Sequence, residues 1–138
     1  MAAAEPRTST LTAELRIRAK SLGFDAFGIA NADARPDLQA KLRHALGAGW
    51  HGEMDWLAET PERRGSPQGL WEDVRSVIML GVNYGPDSDP MALLAERSAG
   101  NISVYARNRD YHDIIKGKLK ELAGLLHRRT GAEVKVFV

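Results

Sequence analysis

The sequence predicts a mixed α/β (α+β) chain in which helices flank a central sheet. Two stretches carry helical apolar spacing between recognisable caps: the first ends at Gly23 and the second at Gly131. A continuous apolar run from Val77 to Val82 reads as a strand buried on both faces in a sheet interior. Shorter segments alternate apolar with small or polar residues, as half-buried strands do. At 138 residues the chain suits one compact domain.

Residues 1–8 form an alanine-rich start, expected to be a disordered tail, and residues 9–138 form the domain. From Ser9 or Thr10 a helix runs to Leu22, with Leu11, Leu15, Ile17, Ala19 and Leu22 as its stripe. "FDAFGIAN" follows as a strand. Pro36 to Leu46 is helical through Leu38, Leu42 and Leu46, and "GEMDWLAET" makes a short helix before a loop, "PERRGSPQGL". The clearest strand, Ser76 to Gly85, is broken by "GPDSDP". "NISVYA" is another strand. Asp110 then caps a helix to about Arg129, with Ile114, Leu119, Leu122, Leu125 and Leu126 on its core face, and "EVKVFV" opens a last strand. A buried strand normally connects onward, so the chain is expected to be an excised piece of something longer.

Composition narrows the function only a little. A net charge of +1 neither demands nor excludes nucleic acid. Residues 105–138 hold eight Lys or Arg against four Asp or Glu, compatible with an RNA backbone and equally with a solvated helix face. There is no cysteine, hence no disulfide, thiolate metal site or iron–sulfur ligand within the chain. The N-terminus lacks the apolar core of a secretory signal, and no apolar run approaches the ~20 residues of a membrane span. A soluble, cytoplasmic monomer with no membrane partner is expected.

The four histidines, His44, His51, His112 and His127, show no metal-ligand spacing, so no metal site is expected. His44 and His127 belong on solvated helix faces, and His51 beside a cap. His112 differs in its company, because Tyr105, Arg107, Arg109 and Tyr111 precede it at a strand-to-helix junction, where free backbone donors suit ligand binding. Packing of Tyr111 with solvated arginines fits the same pattern. Glu53 and Asp55 are two apart and make a poor acid/base pair on a helix, whereas Arg63 and Arg64 in a loop suit anions. Tyr84 ends the central strand at its carboxyl edge, where α/β sheets often place ligands.

Taken together, "WHGEMDWLAETPERRGSPQGLWEDVRSVIMLGVNYGP" and "VYARNRDYHDIIKGKLKELAGLL", with the closing "VFV", resemble the epoxyqueuosine reductases. The likeness runs from about Leu22 to Val138. It implies a nitroreductase-like cobalamin-binding domain with a mostly antiparallel or mixed sheet. It also implies a reductase that converts epoxyqueuosine to queuosine at the tRNA wobble position, using cobalamin and electrons from two 4Fe-4S clusters in a further ferredoxin-like domain. The implied partners are an epoxyqueuosine-containing tRNA and an external electron donor. Carried onto this chain, the likeness places Tyr84 and His112 as supporting catalytic residues near the substrate, and Arg64, Ser103 and Tyr105 as cobalamin contacts.

Two departures stand out. The family usually has Ser-Arg-Tyr where this chain has Ser103-Val104-Tyr105, and the family's acid is an aspartate directly after the match to Phe137-Val138. The chain as given is therefore expected to be inactive alone. Two other functions fit the same residues: a cobalamin-binding or trafficking module without reductase chemistry, and a tRNA-interaction domain working through Lys116 to Lys120.

Overall fold

The computed structural model describes residues 9–138, so the expected tail at 1–8 lies outside the described residues. It contains six α-helices and two strands in the order α1 (Thr10–Ser21), β1 (Ala26–Asn31), α2 (Leu38–Gly47), α3 (Asp55–Glu59), α4 (Pro61–Arg64), α5 (Pro67–Leu70), β2 (Ser76–Gly81) and α6 (Tyr111–Thr130), with 3-10 turns at Ala92–Ala95 and Val104–Ala106. This is an α+β arrangement. The chain divides into two compact units, one built from the segments up to Phe27 and from Leu80 onward, the other from Gly28–Met79.

The first unit is organised by α1 and α6. Ser9 caps α1 by accepting the Thr12 N–H at 3.2 Å, and the helix ends where Gly23 turns to φ +87°. Asp110 caps α6, and Gly131 closes it in the left-handed region at φ +70°, donating its N–H to the His127 carbonyl at 2.7 Å. Part of the expected apolar stripes meets where the two helices pack: Leu15, Ala19 and Leu122 are buried there, with Phe24 buried just beyond α1, whereas Ile17 and Ile114 are exposed. Ion pairs Arg18–Glu121 and Arg129–Glu14 span the same helix pair at its exposed margin. The Lys118 ammonium lies over the Phe24 ring, 5.9 Å from its centroid.

The second unit is a set of short helices. Arg35 and Lys41 both pair with Asp37 at the start of α2, holding that carboxyl below the usual carboxylate range. The segment "PERRGSPQGL", expected as a loop, instead winds into two single-turn helices. Pro61 and Pro67 stand at their first positions, where a missing N–H costs nothing, and Ser66 accepts the Gly69 N–H at 3.0 Å.

β1 and β2 form an antiparallel two-stranded ladder, framed by Asp25 N–H to the Gly81 carbonyl (2.9 Å) and Ala32 N–H to the Arg75 carbonyl (3.0 Å). The expectation of a strand buried on both faces fails at β2, where Met79 is 58% exposed. A strand with one hydrogen-bonded neighbour is an edge, and an edge is not enclosed. The strand also stops at Gly81 rather than Gly85.

Two expected strands do not form. At "NISVYA" the Arg107 guanidinium donates to the Ile102 carbonyl (2.9 Å), the Asn101 Oδ1 (3.1 Å) and the Pro90 carbonyl (3.4 Å), while Ala106 N–H closes a turn onto Ser103. Acceptors that a ladder would use are thus engaged locally. At "EVKVFV" the alternation is right, but no strand runs alongside it among the described residues. Backbone groups satisfied only by a neighbour do not make a strand without one.

Candidate functional site

In the first unit the candidate residues sit on the long connection after β2 and at the start of α6. Tyr84 is held between two short tethers: the Asn83 N–H donates to Asp25 Oδ2 at 2.6 Å, and the Gly85 N–H donates to Asn83 Oδ1 at 2.9 Å. Tyr84 is 70% exposed, and its hydroxyl has no hydrogen-bond partner among the described residues. Ser103 immediately precedes the 3-10 turn and Tyr105 is its central residue, both exposed, with half-buried Val104 between them. The turn thus faces its two hydroxyl residues outward and tucks in the apolar one. The position where the resemblance expects an arginine is therefore a packing position here.

Arg107 sets this turn. Its planar guanidinium fork reaches three oxygens at once, which a lysine does not reproduce. Arg107, expected at a ligand-binding junction or as a solvated arginine, is instead an internal tie.

His112 lies at the second position of α6. Asp110 Oδ1 accepts the His112 backbone N–H at 2.9 Å and lies 2.5 Å from the same residue's ring Nδ1. These contacts lower the Asp110 pKa, the backbone bond contributing most and the ring bond next. Tyr111 stacks on the imidazole, with ring centroids 4.4 Å apart and planes at 18°. Asp110, expected only as a helix cap, thus also touches the imidazole. Its i−2 position was the signal available in the sequence.

The structure does not join all these residues. No hydrogen bond or ring contact links Tyr84, Ser103 or Tyr105 to His112 among the described residues. The apolar groove along α1 and α6, about 860 Å³ and flanked by Glu14, Ile17, Leu125 and Arg129, contains none of them.

Arg64 belongs to the second unit. It ends α4 with its guanidinium 4.4 Å from the Trp56 ring centroid, so it is held by an aromatic face rather than by a carboxylate. His44 meets Trp50 edge-on at 5.5 Å, and the His51 Nδ1 is buried without a hydrogen-bond partner. In the first unit the His127 Nδ1 contacts the Ala132 carbonyl at 2.8 Å, beyond the end of α6. No group of three or more metal-ligating side chains occurs among the described residues, and no helix there is long and apolar enough to cross a membrane.

Residues 64–138 match the family model described as epoxyqueuosine reductase QueG, DUF1730. The chain belongs to the epoxyqueuosine reductase family. The match takes in Tyr84, Ser103, Tyr105 and His112, and begins at Arg64. Relatives named epoxyqueuosine reductase include one from Cyclobacterium marinum, 38% identical over 121 residues, covering 87% of this chain and 38% of the relative. A second, from Xanthomonas campestris, is 31% identical over 138 residues, covering 98% of this chain and 39% of the relative. The Escherichia coli relative is 34% identical over 108 residues, covering 78% and 28%. The chain thus spans less than two fifths of the length of these epoxyqueuosine reductases. No solved structure matches it at comparable significance.

Proposed function

We propose that this chain carries the cofactor- and substrate-facing part of an epoxyqueuosine reductase, acting on epoxyqueuosine in the wobble position of tRNA. The observation that carries the reading is the family match across residues 64–138, which contains the exposed hydroxyls and the histidine described above. Fold details finer than α+β belong to the same proposal: a nitroreductase-like domain whose sheet is larger than the two-stranded ladder. Cytoplasmic location and monomeric state are part of it too.

The donor set suits cobalamin. A corrin carries peripheral amides and a phosphate tail, and Ser103 and Tyr105 present two exposed hydroxyls, neither engaged with another described residue. These two residues would hold the corrin's polar edge, and exposed aromatic rings such as Tyr105 would cover its apolar surface. Arg64 stands as the third cobalamin contact, its guanidinium already oriented by Trp56. Bound cobalamin would supply the reducing centre for removal of the epoxide oxygen. Tyr84 and His112 would hydrogen-bond the oxygen-bearing ring and orient the group that protonates the departing oxygen. The chain has no cysteine, so two 4Fe-4S clusters would take their ligands elsewhere, and an external donor would feed them.

His112→Phe in the full-length enzyme tests the assignment. Turnover on epoxyqueuosine-containing tRNA should fall at least tenfold, while cobalamin occupancy, read by its visible absorbance, stays near wild type. Equal loss of both would make His112 a cofactor-holding residue with no part in the chemistry.

A further inference from the structure

One oxygen of Asp110 meets two nitrogens of His112. Oδ1 accepts the His112 N–H at 2.9 Å and lies 2.5 Å from the His112 Nδ1, so the cap of a 20-residue helix also touches the imidazole two residues along the chain. We infer that Asp110 is a positioning residue for His112, holding the imidazole with its proton on Nδ1 and leaving Nε2 as the nitrogen that meets substrate. The inference rests on the role proposed above for His112.

A neutral imidazole has one N–H and one lone-pair nitrogen, and an ionised carboxylate only accepts. The ring nitrogen facing Asp110 must therefore carry the hydrogen. Ionisation of Asp110 is favoured by the same two bonds that lower its pKa. The backbone at Asp110 (φ −53°, ψ 118°) is non-helical, which swings its side chain back over the first turn rather than along the helix. Tyr111, stacked at 4.4 Å, limits rotation of the imidazole from one face. Flipping the ring thus breaks the Asp110 contact, and tilting it breaks the stack on Tyr111.

A functional consequence follows. Neutral His112 meets its substrate as a hydrogen-bond acceptor at Nε2, which selects a hydroxyl group as its counterpart. Only the imidazolium form donates from that nitrogen.

Selective ¹⁵N-histidine labelling of the full-length protein tests this directly. The spectra are recorded in alkaline buffer so that the neutral ring is the species observed. The His112 Nε2 should then show the shift of an unprotonated nitrogen and Nδ1 that of a protonated one. Asp110→Ser keeps an oxygen for the cap but removes the carboxylate from the imidazole, whereas Asp110→Ala removes both. Asp110→Ser should keep the helical signal of α6, move the tautomer signal toward Nε2–H, and lower kcat about tenfold or more with KM for the RNA unchanged. A protonated Nε2 in the wild-type protein overturns the inference, as does wild-type kcat in Asp110→Ser with loss only in Asp110→Ala, since that pattern means Asp110 is a cap alone. If His112→Phe keeps full turnover while the wild-type tautomer is as stated, the proposed role of His112 fails and the tautomer assignment stands.

Discussion

Leu122→Ala should be the most damaging single apolar truncation on α6. Leu122 is 4% exposed and is the one buried residue of that helix, placed where α6 packs against α1 with its buried Leu15 and Ala19. The change deletes three carbons. At about 0.8 kcal/mol per buried methylene that is ~2.4 kcal/mol of lost transfer energy. A residual cavity of some tens of cubic ångströms adds ~1 kcal/mol at about 24 cal/mol per Å³. The expected loss is therefore about 3–4 kcal/mol, a large fraction of the 5–15 kcal/mol that typically holds a domain. The exposed ion pairs at the same helix pair offer little compensation, since such pairs contribute roughly 0–1 kcal/mol each. Urea unfolding followed by circular dichroism at the helical band reads the effect as a lowered midpoint at constant slope. Ile17→Ala serves as the control, because Ile17 lies on the same α1 yet is 71% exposed and should cost under about 0.5 kcal/mol. Equal losses in the two variants would refute the placement of the core between α1 and α6.

Two further predictions concern the ends of α6. Gly131→Ala places a Cβ at φ +70° and should destabilise by about 1–2 kcal/mol with no new steric clash, measurable by the same unfolding curve. A loss below a few tenths of a kcal/mol would mean that the helix ends differently. Asp110 has a lowered folded-state pKa, so its stabilising contribution is complete above the unfolded carboxylate value near 3.9 and is lost as pH falls through the lower folded value. The Asp110 side-chain carboxyl carbon resonance should accordingly show its protonation step below about pH 4, and Asp110→Asn should remove that step; an Asp110 protonation step centred above about pH 4 would contradict the direction.

The parts of this fold that were legible in the sequence are those fixed by nearby residues. Ser9 and Gly23 bound α1, and Asp110 and Gly131 bound α6, because caps act within one turn of the chain. The strands were legible as propensity but not as pairing. "NISVYA" and "EVKVFV" have suitable residues, yet a ladder needs a partner that no local pattern supplies, and Arg107 diverts the first of them. The site divides the same way. The Asp110–His112 contact spans two residues and follows from the cap, whereas the link from Arg107 to Pro90 spans 17 and leaves no trace in the spacing. The family was legible earlier than either, since motif order and spacing do not depend on knowing which atoms touch.

The Arg107 tie also bears on how the chain between Pro90 and Arg107 can change. The guanidinium closes this stretch into a loop whose two ends are fixed, so the entropy of closing it depends only on the logarithm of its length. Doubling the loop would cost only about 0.6 kcal/mol more. Insertions on its far side, between Ala95 and Gly100, are thus thermodynamically inexpensive while the fork of Arg107 stays intact. The same arithmetic makes the arginine itself hard to replace: without its closure, the full freedom of the loop returns to the turn that presents Ser103 and Tyr105.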